Sequence, residues 1–176
     1  MLQNILEQDA QLTQRLRVAE KPGFLRALAN LLARSGDSWF WLVVLSLLAW
    51  LGNEFWSQRS IVYIIGILIT AALVFAIKFT VRRQRPEGEW GQVYRKTDPH
   101  SFPSGHAARA ALLAILGIGL GPAWLGLILA IWAPLVMLAR VAMGVHFFSD
   151  VLAGALLGVM VSLAILIFIP LPLVLV

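Results

Sequence analysis

From Ile61 to Thr80 the chain runs for 20 residues with a single charged side chain, Lys78. That run constrains the fold more than any other feature. A helix of about 20 apolar residues matches the ~30 Å hydrocarbon core of a bilayer. Lipid offers no partners for backbone N–H and C=O groups, so such a segment must satisfy them internally, as a helix. The same reading gives four more apolar segments, Trp39–Gly52, Ala107–Leu120, Ala123–Ala139 and Val151–Val174. The first of these is short, but Trp39, Trp41, Trp50 and Trp56 bracket it as interfacial aromatic belts bracket a span. Gly121-Pro122 breaks the run between Leu120 and Ala123. Composition agrees. Hydrophobic residues make up 60% of the chain and charged ones 13%, against about 45–50% and about 25% in soluble domains. The expectation is an all-α, polytopic membrane helix bundle of about five transmembrane helices. Small residues in the last segment, Ala153, Gly154, Ala155 and Gly158, predict close helix packing there.

Residues 1–36 have a different character. They carry Glu7, Asp9, Arg15, Arg17, Glu20, Lys21, Arg26 and Arg34, and lack the continuous apolar stretch of a cleavable signal peptide. Leu2, Ile5, Leu6, Leu12 and Leu16 fall near helical spacing, and Phe24, Leu25, Leu28, Leu31 and Leu32 follow Pro22-Gly23. This pattern predicts an amphipathic helical segment lying in the membrane interface; a cap packed on the bundle is the alternative. The chain thus divides into an amphipathic segment, 1–36, and a membrane-embedded domain, 37–176. Asn53, Glu54, Gln58 and Arg59 read as a tight polar turn between the first two spans. The absence of cysteine excludes disulfides, zinc–thiolate sites and thiol catalysis.

Five spans put the chain termini on opposite sides, and the 81–102 loop, the 140–150 turn and residues 1–36 then share one side of the membrane. Three polar clusters meet there: Lys78 with Arg85 and Pro86; Pro103, Ser104, Gly105 and His106; and Arg140 with His146 and Asp150. Each has a bland reading alone. Lys78 can snorkel to the headgroups. Ser104 can simply cap the helix that follows. His146 and Asp150 can be a structural polar pair. Their placement together turns the net charge of +5 toward anionic lipid and phosphate rather than nucleic acid. Arginine forks match phosphate oxygens, and a helix start with free N–H groups binds anions. At a spacing of four, His146 and Asp150 share one face of a helix, so a carboxylate can orient the imidazole and leave its other nitrogen as nucleophile. A second histidine can protonate a leaving oxygen and then activate water. Together these are the parts of phosphoryl transfer through a phosphohistidine.

The three clusters resemble the signature of the type 2 phosphatidic acid phosphatase family, which is related to class A bacterial acid phosphatases and vanadium haloperoxidases. The family pattern is Lys-x6-Arg-Pro, Pro-Ser-Gly-His and Ser-Arg-x5-His-x3-Asp. This chain matches it at Lys78, Arg85 and Pro86; at Pro103 to His106; and at Arg140, His146 and Asp150, with Ala139 in place of the family serine. The resemblance covers roughly residues 60–160 and implies that His146 is the nucleophile, Asp150 its partner, and His106 the general acid and then base. It implies phosphate binding by Lys78, Arg85, Ser104, Gly105 and Arg140, with no metal and no cofactor. Full-size membrane members have six spans, so this chain reads as a shortened form.

The expected activity is hydrolysis of a lipid phosphate monoester or diphosphate. Candidate substrates are undecaprenyl diphosphate, phosphatidic acid, phosphatidylglycerophosphate and the lipid A 1-phosphate. The alternatives are a lipid-to-lipid phosphotransferase and a non-catalytic lipid-phosphate binder or transporter. No obligate protein partner is indicated. Arg82, Arg83, His100, Asp98 and Arg109 are left outside the expected site. The charge bias of the loops favours a cytoplasmic site, whereas the resemblance implies the outer, periplasmic face of a bacterial inner membrane.

Overall fold

The computed structural model describes residues 2–88, 90 and 98–168. Arg95, Lys96 and the end of the fifth predicted span, 169–174, lie outside them. Among the described residues the order is α1 (Leu2–Leu16), α2 (Phe24–Ser35), α3 (Ser38–Leu51), α4 (Glu54–Val81), α5 (Gly105–Leu120), α6 (Ala123–Ala142) and α7 (Phe148–Phe168). An antiparallel bridge between Gln84 and His100 ties together the arms of the loop that joins α4 to α5. The architecture is the expected all-α bundle.

Three helices, α4, α6 and α7, are each long and apolar enough to cross a bilayer. The 28 residues of α4 extend about 42 Å at 1.5 Å per residue. At 14 residues, α3 is too short alone, but α2 and α3 together pass the same test as one path bent by 48°. The second half of the amphipathic segment thus pairs with α3 across a break at Gly36-Asp37, as a broken span or a re-entrant loop. Its apolar side is still turned outward, with Phe24 79% and Leu31 68% exposed. The polarity of the whole molecule is inverted in the same way. Trp50, Leu127, Leu156 and Phe168 face outward, while Arg140, His146 and Asp150 are buried.

The axis of the bundle is α5. Of its 16 residues 11 are buried, packed against α4, α6 and α7. Glycine makes this possible. A Cβ on Gly154 or Gly158 of α7 would collide with the backbone carbonyls of Ser104 or Ala108, so the small-residue stripe read from the sequence is the α5–α7 contact. Leu45, Tyr63, Ile67, Leu112, Leu116 and Val161 form the main apolar cluster around it.

One sequence expectation is corrected at the far end. Residues 53–59 are not a polar turn. Asn53 is the N-cap of α4, its side chain accepting from Trp56 N at 3.1 Å, and the helix is under way from Glu54. Arg59 is consequently buried in the second turn, where its guanidinium lies over Phe55 and its Nε–H donates to the Leu120 carbonyl. It satisfies an acceptor that the end of α5 leaves open.

Candidate active site

The sequence motifs converge because they lie at one end of the bundle, where α4 and α6 finish and α5 and α7 begin. Lys78 is in the last turn of α4, and Arg85 follows in the loop. Ser104 is the N-cap of α5 and His106 its second residue. Arg140 is in the last turn of α6, His146 in the turn beyond it, and Asp150 in the first turn of α7. Lys78, Arg85, Gly105, His106, Arg140 and His146 line one cavity of about 150 Å³, roomy enough for a phosphate group. Both imidazoles thus reach a common pocket.

His146 is held from both sides. Its Nδ1 lies 2.8 Å from the Ser101 carbonyl oxygen, which can only accept. Arg85 Nη1, which can only donate, lies 3.2 Å from Nε2. The two contacts fix the proton on Nδ1 and the lone pair on Nε2, the nitrogen that accepts from Arg85 at the cavity. Burial pushes the imidazole pKa well below its ordinary 6.5, and Arg85, Arg140 and Lys78 push it further. The ring is neutral and therefore nucleophilic.

Asp150 stands differently from the sequence expectation. The helix begins only at Phe148, so His146 precedes it and the two residues do not share a helical face. The carboxylate Oδ2 is 3.6 Å from His146 Nδ1, an ion-pair distance rather than a hydrogen bond. Oδ2 accepts instead from Phe147 N at 2.9 Å, closing the helix start, while Oδ1 accepts from Arg83 at 2.7 Å. The next two amides of α7 are taken by α1, with Phe148 N donating to Thr13 Oγ1 and Ser149 N to Asp9 Oδ1, both at 3.0 Å. Arg83 joins the two carboxylates, reaching Asp9 at 2.7 Å. Thus α1 acts as a cap on α7, alongside the amphipathic character predicted for it.

The start of α5 is built the other way. Ser104 Oγ takes the Ala107 amide at 3.5 Å and Ser104 N is tied to the Asp150 carbonyl at 2.9 Å. The amides of Gly105 and His106 have no intrahelical partner, and both residues line the cavity. Of the two helix starts, α5 is the one left open to an anion.

Sequence reasoning missed four polar neighbours. Asp98 forms an ion pair with Lys78 and accepts from Arg85 Nη2 at 2.7 Å, so a carboxylate bridges two of the expected phosphate ligands. Arg83 links Asp150 to α1. Arg109, also at the cavity, donates from Nε and Nη2 to the Gly36 carbonyl at 2.8 and 2.6 Å. Asp37 accepts from His106 Nε2 at 2.8 Å. Arg109 carried a usable signal, a charge inside an apolar helix. The others become visible only when the chain is folded. Ala139, in the place of the family serine, packs with Ala29, Ala33 and Met143 in an apolar cluster between α2 and α6.

The PAP2 superfamily model matches residues 59–171. A decaprenylphosphoryl-5-phosphoribose phosphatase of Mycobacterium tuberculosis is 33% identical, over 82% of this chain and 80% of its own. An undecaprenyl-diphosphatase of Sulfolobus acidocaldarius is 30% identical, over 78% of this chain and 68% of its own. In three dimensions the chain is similar to a transmembrane PAP2 type phosphatidylglycerolphosphate phosphatase of Bacillus subtilis. The TM-score is 0.73 at 21% identity, covering 92% of this chain and 84% of that one.

Proposed function

Since the chain belongs to the PAP2 superfamily and is an integral membrane lipid phosphate phosphatase, we propose that it works through a phosphohistidine on His146, without a metal ion. The observation that carries this reading is the double restraint of His146, with Nδ1–H on a carbonyl and Nε2 presented beside Arg85 in a cationic cavity. Lys78, Arg85, Arg140 and the open amides of α5 hold the three non-bridging oxygens and take up the charge that spreads over them. Their positive charge supplies what a metal would otherwise provide. An incoming phosphate replaces the Asp98 carboxylate at Lys78 and Arg85.

Arg85 Nη1 turns from Nε2 to a phosphate oxygen, and the freed Nε2 lone pair of His146 attacks phosphorus. The P–N bond forms as the bond to the leaving oxygen breaks, and His106, protonated once the phosphate dianion sits beside it, gives that oxygen its proton. The Ser101 carbonyl and Asp150 stabilise the positive charge on the His146 ring. Water then attacks the phosphohistidine, the P–N bond breaks, and the proton lost by water returns to His106.

The substrate is a phosphate or diphosphate of a membrane lipid. Isoprenyl diphosphates, phosphatidic acid, phosphatidylglycerophosphate and lipid A 1-phosphate all present the same dianionic group to the pocket. The site faces the outer, periplasmic side of a bacterial inner membrane; labelling of Gln92→Cys only after permeabilisation would reject that side. The direct test of function is phosphate release from a panel of these lipids in detergent, with EDTA present. Release by the wild-type protein and none by His146→Ala is expected. Equal release by both rejects the mechanism, and loss in EDTA restored by magnesium rejects its metal independence.

A further inference from the structure

The break between α2 and α3 is a constructed feature. It interrupts an apolar helical path, where an unpaired backbone group is costly. The freed groups are instead bound. The Gly36 carbonyl accepts twice from Arg109. The Ser35 carbonyl accepts from Trp41 Nε1 at 2.8 Å, and Ser35 Oγ from Trp132 Nε1 at 2.9 Å. A Cβ on Gly36 would stand 3.2 Å from His106 Cδ2 and 3.0 Å from Val136 Cγ1. The backbone of the break therefore rests on the His106 ring. Asp37 completes the arrangement. It occupies the N-cap position of α3, yet its side chain makes no capping hydrogen bond. Its Oδ1 lies 2.8 Å from His106 Nε2.

We propose that Asp37 is a positioning residue for His106: it holds the Nε2 proton so that Nδ1 is the nitrogen that exchanges protons with the substrate. The inference rests on the acid–base role given to His106 above. In the first step imidazolium Nδ1–H passes its proton to the leaving oxygen while Nε2–H stays on Asp37. In the second step the Nδ1 lone pair takes the proton from the attacking water. The carboxylate stabilises the imidazolium and fixes one tautomer of the neutral ring. Arg109 acts through the same contact, since its grip on Gly36 sets where Asp37 stands.

A general acid matters in proportion to how poor the leaving group is, and that separates positioning from mere structural support. The test measures single-turnover formation of phosphoenzyme by the full-length protein in detergent. It compares an alkyl lipid phosphate with a lipid-like nitrophenyl phosphate. For Asp37→Asn the rate from the alkyl ester is expected to fall about 10- to 100-fold, by analogy with the loss of the carboxylate partner of a metal-bound histidine. From the aryl ester, whose leaving group needs no proton, it should stay within about 3-fold. Asp37→Glu, which keeps the carboxylate, should recover most of the alkyl rate, and Asp37→Asn should add nothing to a His106→Ala protein. Equal losses with both esters, no loss with either, or additive losses in the double variant would overturn the proposal. Failure of the wild-type protein to release phosphate from any lipid would sink the phosphatase reading and this inference with it.

Discussion

The two histidines of the pocket are restrained by different kinds of atom. His146 sits on a short turn between α6 and α7 and is held by a main-chain carbonyl, Ser101 O, with Asp150 farther off at 3.6 Å. His106 sits in the first turn of α5 and is held by a side chain, Asp37, that lies 69 residues away on a different membrane path. A main-chain acceptor cannot be removed by substitution and scarcely moves. A side-chain acceptor can be lost by one change and shifts with the helix that bears it. The nucleophile is thereby built into the scaffold, while the acid–base group depends on how the bent α2–α3 path docks.

Breaking the better-protected side of this comparison gives the largest effect. His146→Ala should lower phosphate release by about 10⁴-fold or more, as for loss of a nucleophile that acts as a unit with its neighbours. Equilibrium binding of substrate to the inactive protein should survive, and loss of binding instead would indicate a structural role. Arg85→Ala comes next, at about 10²- to 10³-fold in kcat, the scale for one donor to a developing charge.

The pH profile sharpens the same prediction. Because the His146 pKa is depressed, first by burial and then by Arg85, the ring stays neutral well below pH 6.5. The acid limb of kcat/KM, where the nucleophile is lost to protonation, should therefore lie below 6.5. Arg85→Ala should move it upward. An acid limb at or above 6.5 in the wild-type protein would contradict the neutral, cation-flanked ring.

Smaller effects test the supports of Asp150. Arg83→Ala leaves Asp150 and Asp9 facing each other without their shared cation. It should destabilise the protein by about 3 kcal/mol, the lower end for breaking a buried pair, measured by thermal unfolding in detergent. Thr13→Val removes one cap from α7 and should cost about 1 kcal/mol. An unchanged midpoint in Arg83→Ala would show that the shared cation adds no stability, and one in Thr13→Val that the Thr13 cap adds none.

These supports also mark how far the sequence could be read. The span pattern and the three motif clusters were legible because each depends on local spacing, and helix ends gather at one membrane face. Pairings between distant segments were not. Nothing in the order of residues assigns Ser101 to His146, Arg83 to Asp9, or Arg59 to Leu120. The His146–Asp150 spacing suggested a shared helical face. In the structure Gly144, at φ +68°, turns the chain, and Asp150 closes the helix start after His146 has passed. Asp37 stands at the N-cap position of α3, and only its missing cap bond and its neighbour reveal where the carboxylate points.

The central claim is that His146 carries the phosphoryl group. Rapid acid-free quenching of the wild-type protein with radiolabelled lipid phosphate, followed by peptide mapping, tests it most directly. The account predicts a base-stable, acid-labile label on the peptide containing His146, absent from His146→Ala. Turnover without any labelled protein, or a label on another residue, would contradict it.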